Sequence, residues 1–331
     1  MKKTITLLCS CIQFFVFGQT KTPEELGFRH ITYTYQGDVV DVIVKSKKGE
    51  ENQPKPLFFF CQGSLPDPTI KYLGDRVLVF PFDMEIYAEQ YHLVIVGKPG
   101  SPLVLDLAPF APSYQFRQAG EKVPQAYTDR NYLSYYVERN IEVLQALAQE
   151  EWVSSDQLVV AGHSEGSTIG AKMALLYPEI THLIYSGGNP MGRIMSIITE
   201  YRYGETEADQ RAEHMFDHWQ WILDNKESVT DERGDSPRAT YEFSEPSFDV
   251  LEQLKIPVLV TYGSKDWSAP FNDYLHLEAL RKGWTNFTFK AYIGTEHNFF
   301  PVNEQYVPDH KVRNWPKVAT DWLTWLTVNG E

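Results

Sequence analysis

Cysteine is scarce in this sequence, with Cys9, Cys11 and Cys61 as the only three among 331 residues. The first two lie within the N-terminal 18 residues, which we predict are removed on export. Cys61 would then remain alone, and this excludes an intramolecular disulfide in the mature chain. Because it ends the apolar strand pattern 57–61, we interpret it as a packed residue and not as a nucleophile.

Basic residues are also in short supply, since 30 Lys and Arg stand against 44 Asp and Glu, giving a formal net charge of -14. Such an acidic chain is a poor candidate for binding nucleic acid or an anionic membrane. The sequence lacks a metal-ligand cluster with recognisable spacing, and no glycine-rich phosphate loop follows a strand pattern. We therefore expect neither a metal nor a nucleotide cofactor.

Long apolar runs are absent, and the N-terminal stretch 4–17 is too short for a stable membrane span. Two lysines precede this stretch, and a plausible cleavage point lies between Gly18 and Gln19. The pattern predicts a signal peptide over residues 1–18 and an exported protein, periplasmic or extracellular. One alternative stays open, because residues 8–11 resemble a lipoprotein box that would anchor the chain through Cys11.

The most informative motif is Gly162-His163-Ser164-Glu165-Gly166, which has the form G-x-S-x-G. An apolar run at 158–161 precedes it, and a stretch of small residues with helical character follows it up to Pro178. A strand, a tight turn and a helix are the context that a nucleophile elbow requires. We therefore predict that Ser164 presents its hydroxyl at the carboxyl end of a strand.

An acid and a histidine follow two later strand patterns. Asp266 comes after the apolar run 256–262, and His297 comes after the alternating run 287–292. Asp273 is a competitor for the role of the acid, seven residues further on.

With a serine, an aspartate and a histidine in this order, the chain resembles the α/β-hydrolase superfamily from about Thr32 to the C-terminus. Strand patterns that alternate with helical patterns themselves predict an α/β fold with a mostly parallel central sheet and helices on both faces. The resemblance implies one catalytic domain over residues 19–331. It also implies a helical cap insertion at about 190–250, where the strand rhythm breaks.

In this family Ser164 would be the nucleophile, His297 its general base, and Asp266 the residue that orients the histidine. The oxyanion hole would use the backbone N–H of Glu165 and a second N–H from the loop after an early strand, either Ser64 or Gly63.

Side chains around the predicted site have competing interpretations. His163 should pack beside the nucleophile. The Glu165 side chain could bind a substrate amine, but the sequence favours a solvated carboxylate. Among the apolar residues of the cap, Met195, Trp219 and Trp221 are candidate substrate contacts, with ordinary core packing as an equal alternative.

The leading hypothesis is a secreted serine hydrolase that cleaves carboxylic esters through an acyl-enzyme. A serine exopeptidase of the iminopeptidase or prolyl-peptidase kind is the second, and a non-catalytic binding protein on a hydrolase fold is the third. The expected partner is a small ester or a short peptide, and the sequence makes no prediction of oligomeric state.

Overall fold

The computed structural model describes residues 20–112, 116, 122–231 and 235–330. The predicted signal peptide, with Cys9 and Cys11, lies outside the described residues. Eight strands form the main sheet in the order β1-β2-β6-β3-β8-β9-β10-β11. They are β1 Arg29–Tyr35, β2 Asp38–Lys45, β3 Lys55–Cys61, β6 His92–Val96, β8 Val153–His163, β9 His182–Ser186, β10 Val258–Gly263 and β11 Phe287–Tyr292.

The strands of this sheet all run in one direction except β2, which is antiparallel to both of its neighbours. β1, β2 and β6 pair antiparallel, whereas all pairs from β6 to β11 are parallel. Central strands such as β6 and β9 are buried along their whole length, as expected for parallel strands covered on both faces. The prediction of a mostly parallel central sheet is confirmed.

A second, small sheet is present, of which the sequence indicated only a possible short strand at 77–80. It has the order β5-β4-β7, with β4 Ile70–Leu73, β5 Arg76–Leu78 and β7 Val104–Asp106. Its strands have only three or four residues, which is too short for a period-2 pattern to be distinguished from a loop.

Helices cover the two faces of the main sheet. They are α1 Glu85–Ala88, α2 Gln125–Thr128, α3 Leu133–Leu147, α4 Glu165–Leu176, α5 Arg193–Arg202, α6 Arg211–Asp224, α7 Pro237–Ser244, α8 Phe248–Gln253, α9 Ala269–Lys282 and α10 Trp315–Asn329, with a short 3-10 helix at Ala108–Phe110. No described helix is long and apolar enough to cross a bilayer.

Alternation along β3 divides the core into two layers. Phe59 and Cys61 face a cluster that contains residues of α3, α4 and α9, while Phe58 and Phe60 face a cluster with α1 and α10. Burial raises the pKa of the Cys61 thiol to about 12, which agrees with its interpretation as an unreactive packed residue.

Four helices, α5 to α8, lie between β9 and β10, where the sequence predicted a cap. Helices α5, α6 and α7 pack on one another, whereas α8 packs on α4. Phe243 and Leu251 are buried in the main core. The C-terminal part of the insertion is therefore continuous with the core, and a separate cap over about 190–250 stays a prediction.

Candidate active site

Ser164 lies at a sharp turn between two elements. β8 ends at His163, and α4 begins at Glu165. The backbone of Ser164 has φ 59 and ψ -129, a conformation that a non-glycine residue rarely adopts. Its N–H donates to the Ser186 carbonyl at 2.9 Å, and its carbonyl accepts from the Ser167 backbone N–H at 3.0 Å. These bonds connect the strained residue to the end of β9 and to the first turn of α4.

The two glycines of the motif are required by close backbone approach. A Cβ at Gly162 would overlap the carbonyl of Gly166, and a Cβ at Gly166 would overlap the carbonyl of Cys61. Neither contact involves a flexible side chain that could move away. The turn therefore has the geometry that the G-x-S-x-G pattern predicted.

The structure brings Ser164, His297 and Asp266 together in a hydrogen-bonded chain. His297 Nε2 lies 2.8 Å from Ser164 Oγ, and His297 Nδ1 lies 2.8 Å from Asp266 Oδ2. Since β8, β10 and β11 are parallel, the residues that follow them emerge at one edge of the sheet. One ring nitrogen faces the hydroxyl and the other faces a carboxylate, which is the arrangement of a base and its orienting acid.

The charges of His297 and Asp266 change the pKa of both groups. Burial acts to lower the pKa of His297, but the charge and hydrogen bond of Asp266 outweigh it and raise the pKa above its ordinary value. Burial acts to raise the pKa of Asp266, and the nearby His297 and the Ser268 N–H outweigh it and lower the pKa. The carboxylate thus favours a protonated imidazole, the state that follows proton abstraction from serine.

The competing acid has a different partner. Asp273 Oδ1 accepts a 2.6 Å hydrogen bond from the hydroxyl of Tyr262. The carboxylate paired with His297 is that of Asp266, so the geometry favours Asp266 over Asp273.

His163 packs beside His297, with ring centroids 5.0 Å apart. Its Nδ1 lies 3.0 Å from Ser186 Oγ. Burial, with a smaller contribution from His297, lowers the pKa of His163 to about 3. His163 is therefore neutral throughout the pH range in which His297 titrates.

The predicted oxyanion donors lie around Ser164. Glu165 begins α4, so its N–H is among the amides left free at a helix N-terminus. A Cβ built on Gly63 would lie 3.5 Å from Ser164 Cβ and 3.9 Å from Ser164 Oγ, which places this loop against the serine. Ser64 lines both of the cavities that include Ser164. All three positions are compatible with donation to a developing oxyanion, and their roles stay predictions.

The Glu165 side chain corrects the sequence interpretation. The sequence favoured a solvated carboxylate, but the side chain is only 4% exposed. Its Oε1 lies 3.7 Å from Lys98 Nζ, and its Oε2 lies 3.4 Å from Arg193 Nη1. Two cations from distant parts of the chain oppose the effect of burial, which still raises the pKa of Glu165 above its ordinary value. No five-residue motif could reveal these partners.

Two cavities meet at Ser164 and His297. The first, of about 340 Å³, also has Glu165, Arg193, Glu200, Phe243 and Trp267 on its wall. The second, of about 520 Å³, shares Ser64, Ser164 and His297 with the first. Its lining is largely apolar and includes Leu65, Leu78, Val79, Phe80, Pro81 and Trp315.

The three predicted substrate contacts lie elsewhere. Met195, Trp219 and Trp221 line neither cavity at Ser164. Trp221 is 51% exposed and stacks on His218, while Trp219 stacks on Tyr241. The two tryptophans belong to α6, which packs on α5 and α7.

The aromatic wall of the first cavity is formed by residues that sequence reasoning missed. Trp267 directly follows Asp266, and this adjacency was the available signal. Trp267 stacks on Tyr306 with ring centroids 5.4 Å apart and an interplanar angle of 12°. The lining of this cavity also includes Arg193, Ser196 and Glu200, which follow the spacing of one face of α5.

No protein-family profile matches the chain, and no curated protein matches its sequence. Solved structures do resemble it. Acylaminoacyl peptidase from Pyrococcus horikoshii matches with a TM-score of 0.57 and 12% identity over 91% of this chain and 41% of its own. Dipeptidyl peptidase 4 from Porphyromonas gingivalis matches with a TM-score of 0.54 and 15% identity over 91% of this chain and 35% of its own.

A third similar structure, a puromycin-hydrolyzing peptidase from Mycobacterium tuberculosis, has a TM-score of 0.51 and 14% identity over 82% of this chain and 37% of its own. The chain has the α/β-hydrolase fold. It spans less than half the length of these three proteins, at 41%, 35% and 37%. In this fold, the strand order places Ser164 near the centre of the sheet, directly after β8.

Among the described residues, no group of three or more His, Cys, Asp or Glu side chains could hold a metal ion. The ionisable groups near Ser164 pair with one another instead. His297 pairs with Asp266, and Glu165 pairs with Lys98 and Arg193.

Proposed function

We propose that this chain is an exported serine hydrolase that cleaves carboxylic esters through an acyl-enzyme. The observation that carries the proposal is the hydrogen-bonded chain from Ser164 Oγ through His297 to Asp266. It stands at a strained elbow on the fold's central strand. A serine hydroxyl needs such a base, because it is a weak nucleophile at neutral pH.

In the proposed reaction, Ser164 Oγ attacks the ester carbonyl while His297 Nε2 takes the hydroxyl proton. The carbonyl oxygen becomes an oxyanion, which the N–H groups of Glu165 and of the Gly63–Ser64 loop would stabilise. When the tetrahedral intermediate collapses, the C–O bond to the leaving group breaks, and His297 donates its proton to the departing alkoxide. Water, deprotonated by His297, then attacks the acyl-enzyme. As the acyl–Oγ bond breaks, His297 returns the proton to Ser164 Oγ and the carboxylic acid is released.

An apolar second cavity supports an ester with a hydrophobic part. Its lining residues Val79, Phe80 and Trp315 offer no charge to a substrate. The charged residues there, Asp67 and Lys71, pair with each other at 2.6 Å. Burying an aliphatic or aromatic group in such a cavity is favourable by about 25 cal/mol per Å² of apolar surface.

A second candidate, a serine exopeptidase, is favoured by Glu200. This carboxylate lies on the wall of the first cavity, is exposed, and has no ion-pair or hydrogen-bond partner among the described side chains. A free carboxylate at this place could bind the amine of an aminoacyl substrate. Glu165, which the sequence offered for this role, is already compensated by Lys98 and Arg193.

Hydrolysis of p-nitrophenyl esters of increasing acyl length, compared with aminoacyl p-nitroanilides, tests the proposal. We expect a higher kcat/KM on esters and loss of nearly all turnover in Ser164→Ala. Ser155→Ala, an exposed serine near the start of the same strand, is the matched control. A preference for anilides that Glu200→Gln abolishes would favour the exopeptidase instead. No turnover of either class, with no covalent labelling of Ser164, would indicate a binding protein.

A further inference from the structure

A group of buried charges lies directly behind the predicted oxyanion hole. Glu165 follows the nucleophile in sequence, and its side chain is 4% exposed. Lys98, two residues after β6, is 3% exposed and lies 3.7 Å from Glu165 Oε1. Within the described residues, neither of these two atoms has a hydrogen-bond partner. Their attraction is therefore electrostatic and acts through a poorly solvated interior.

Lys98 is also connected, through Tyr127, to the loop that carries the second predicted donor. Its Nζ lies over the rings of Tyr127, at 5.6 Å, and Tyr136, at 5.0 Å. The Tyr127 hydroxyl donates a 2.6 Å hydrogen bond to the carbonyl of Ser64. One lysine thus connects the two segments that carry the predicted donors, the start of α4 and the loop after β3.

Arg193 joins this group to the insertion. It is the first residue of α5 and lies 3.4 Å from Glu165 Oε2. Its other terminal nitrogen pairs with Asp235, two residues before α7, at 2.8 Å. The contact with Glu165 therefore connects the start of α5 to the start of α4.

Stability alone is a poor reason for this arrangement. Buried ion pairs seldom stabilise a fold more than apolar residues of the same size. A carboxylate beside the serine would also oppose the negative charge that develops during attack, unless cations compensate it. Lys98 and Arg193 supply that compensation and fix the carboxylate, and with it the first turn of α4.

We propose that Glu165 is a positioning residue for the oxyanion hole, and that Arg193 makes this positioning depend on the seating of α5. The inference rests on the proposed acyl-transfer function. It adds that the insertion contributes to the chemical step through Arg193, in addition to any role in substrate binding.

The test compares Glu165→Gln and Arg193→Gln with Arg202→Gln. Arg202 ends the same helix and pairs only with surface acids, Glu205 and Glu213. A phosphonate inhibitor, titrated to completion, first counts the active serines in each preparation. We expect kcat per titrated serine to fall about 10²-fold in Glu165→Gln, the size of effect that misplacement by about 1 Å can produce. KM should change little. In Arg193→Gln, kcat per titrated serine should also fall, and Arg193→Lys should recover most of that loss. In Arg202→Gln, kcat per titrated serine should equal the wild-type value.

A purely structural role predicts a different result. Fewer serines would be titrated, but kcat per titrated serine would stay at the wild-type value in both variants, and this would overturn the proposal. If Glu165→Gln does not fold, the comparison of Arg193→Gln with Arg193→Lys decides between the two roles. Failure of the proposed function is distinguishable, because Ser164→Ala would then keep its turnover.

Discussion

His297 Nε2 lies 2.8 Å from Ser164 Oγ, although 133 residues separate the two in sequence. The parallel sheet closes this distance, since β8 and β11 end at the same edge. At this distance the imidazole nitrogen is within reach of the proton that it would take from the hydroxyl.

Exchange of the acid separates Asp266 from its competitor. Asp266→Asn should lower kcat by about 10⁴, because an amide at this position favours the wrong histidine tautomer. Asp273→Asn should leave kcat near the wild-type value. Loss of the hydrogen bond from Tyr262 should cost this control only about 1 kcal/mol of unfolding free energy. Ester kinetics on both variants checks the prediction, and the reverse ranking would move the acid to Asp273.

Activity should fall in acid through one ionisation. Protonated His297 cannot accept the serine proton, so kcat/KM decreases as the pH falls through its pKa. Because Asp266 raises that pKa, the midpoint should lie above the ordinary value of about 6.5. His163, with its pKa lowered to about 3, does not titrate there. A pH profile of kcat/KM should show a single-proton slope. A midpoint well below the ordinary value, or a two-proton slope, would contradict the assignment.

The elbow should tolerate no methyl group at Gly166. Its Cβ would overlap the carbonyl of Cys61, and two backbone segments would have to separate. We expect Gly166→Ala to lose more than about 3 kcal/mol of unfolding free energy. Gly283→Ala is the control, since its Cβ meets open space at φ 68 and costs only about 1–2 kcal/mol. Urea unfolding of both variants gives the comparison, and equal losses would argue against a tight elbow.

Substrate preference should depend on Trp267 and not on Trp221. Trp267 lines the first cavity and is held by stacking on Tyr306. Trp267→Ala should reduce kcat/KM on aryl substrates relative to small alkyl esters by roughly tenfold, the size of an aromatic contact. Trp221→Ala should leave the ratio unchanged, because that side chain lies away from both cavities. If only Trp221→Ala changed the ratio, Trp221 would be a substrate contact, as the sequence suggested.

The elbow and the order of Ser164, Asp266 and His297 could be predicted because each depends on a local pattern. A strand followed by a short polar segment can be recognised in a window of about ten residues. A parallel sheet then brings the ends of such strands together whatever their separation in sequence.

The surroundings of the site depend on contacts that no local pattern reports. The environment of Glu165 is set by Lys98 and Arg193, which belong to other elements. The helical spacing of Trp219 and Ile222 indicated an apolar face on α6. It did not indicate that this face packs within the insertion and away from Ser164. Amphipathic spacing defines which face of a helix is buried, but not the surface that covers it.

Covalent labelling of Ser164 tests the central claim most directly. The purified protein is treated with a fluorophosphonate while ester hydrolysis is followed, and the modified residue is located by peptide mass spectrometry. The account predicts one equivalent of label on Ser164, loss of hydrolysis in parallel with labelling, and no label in Ser164→Ala. Label on another residue, or hydrolysis that persists after Ser164 is fully modified, would contradict it.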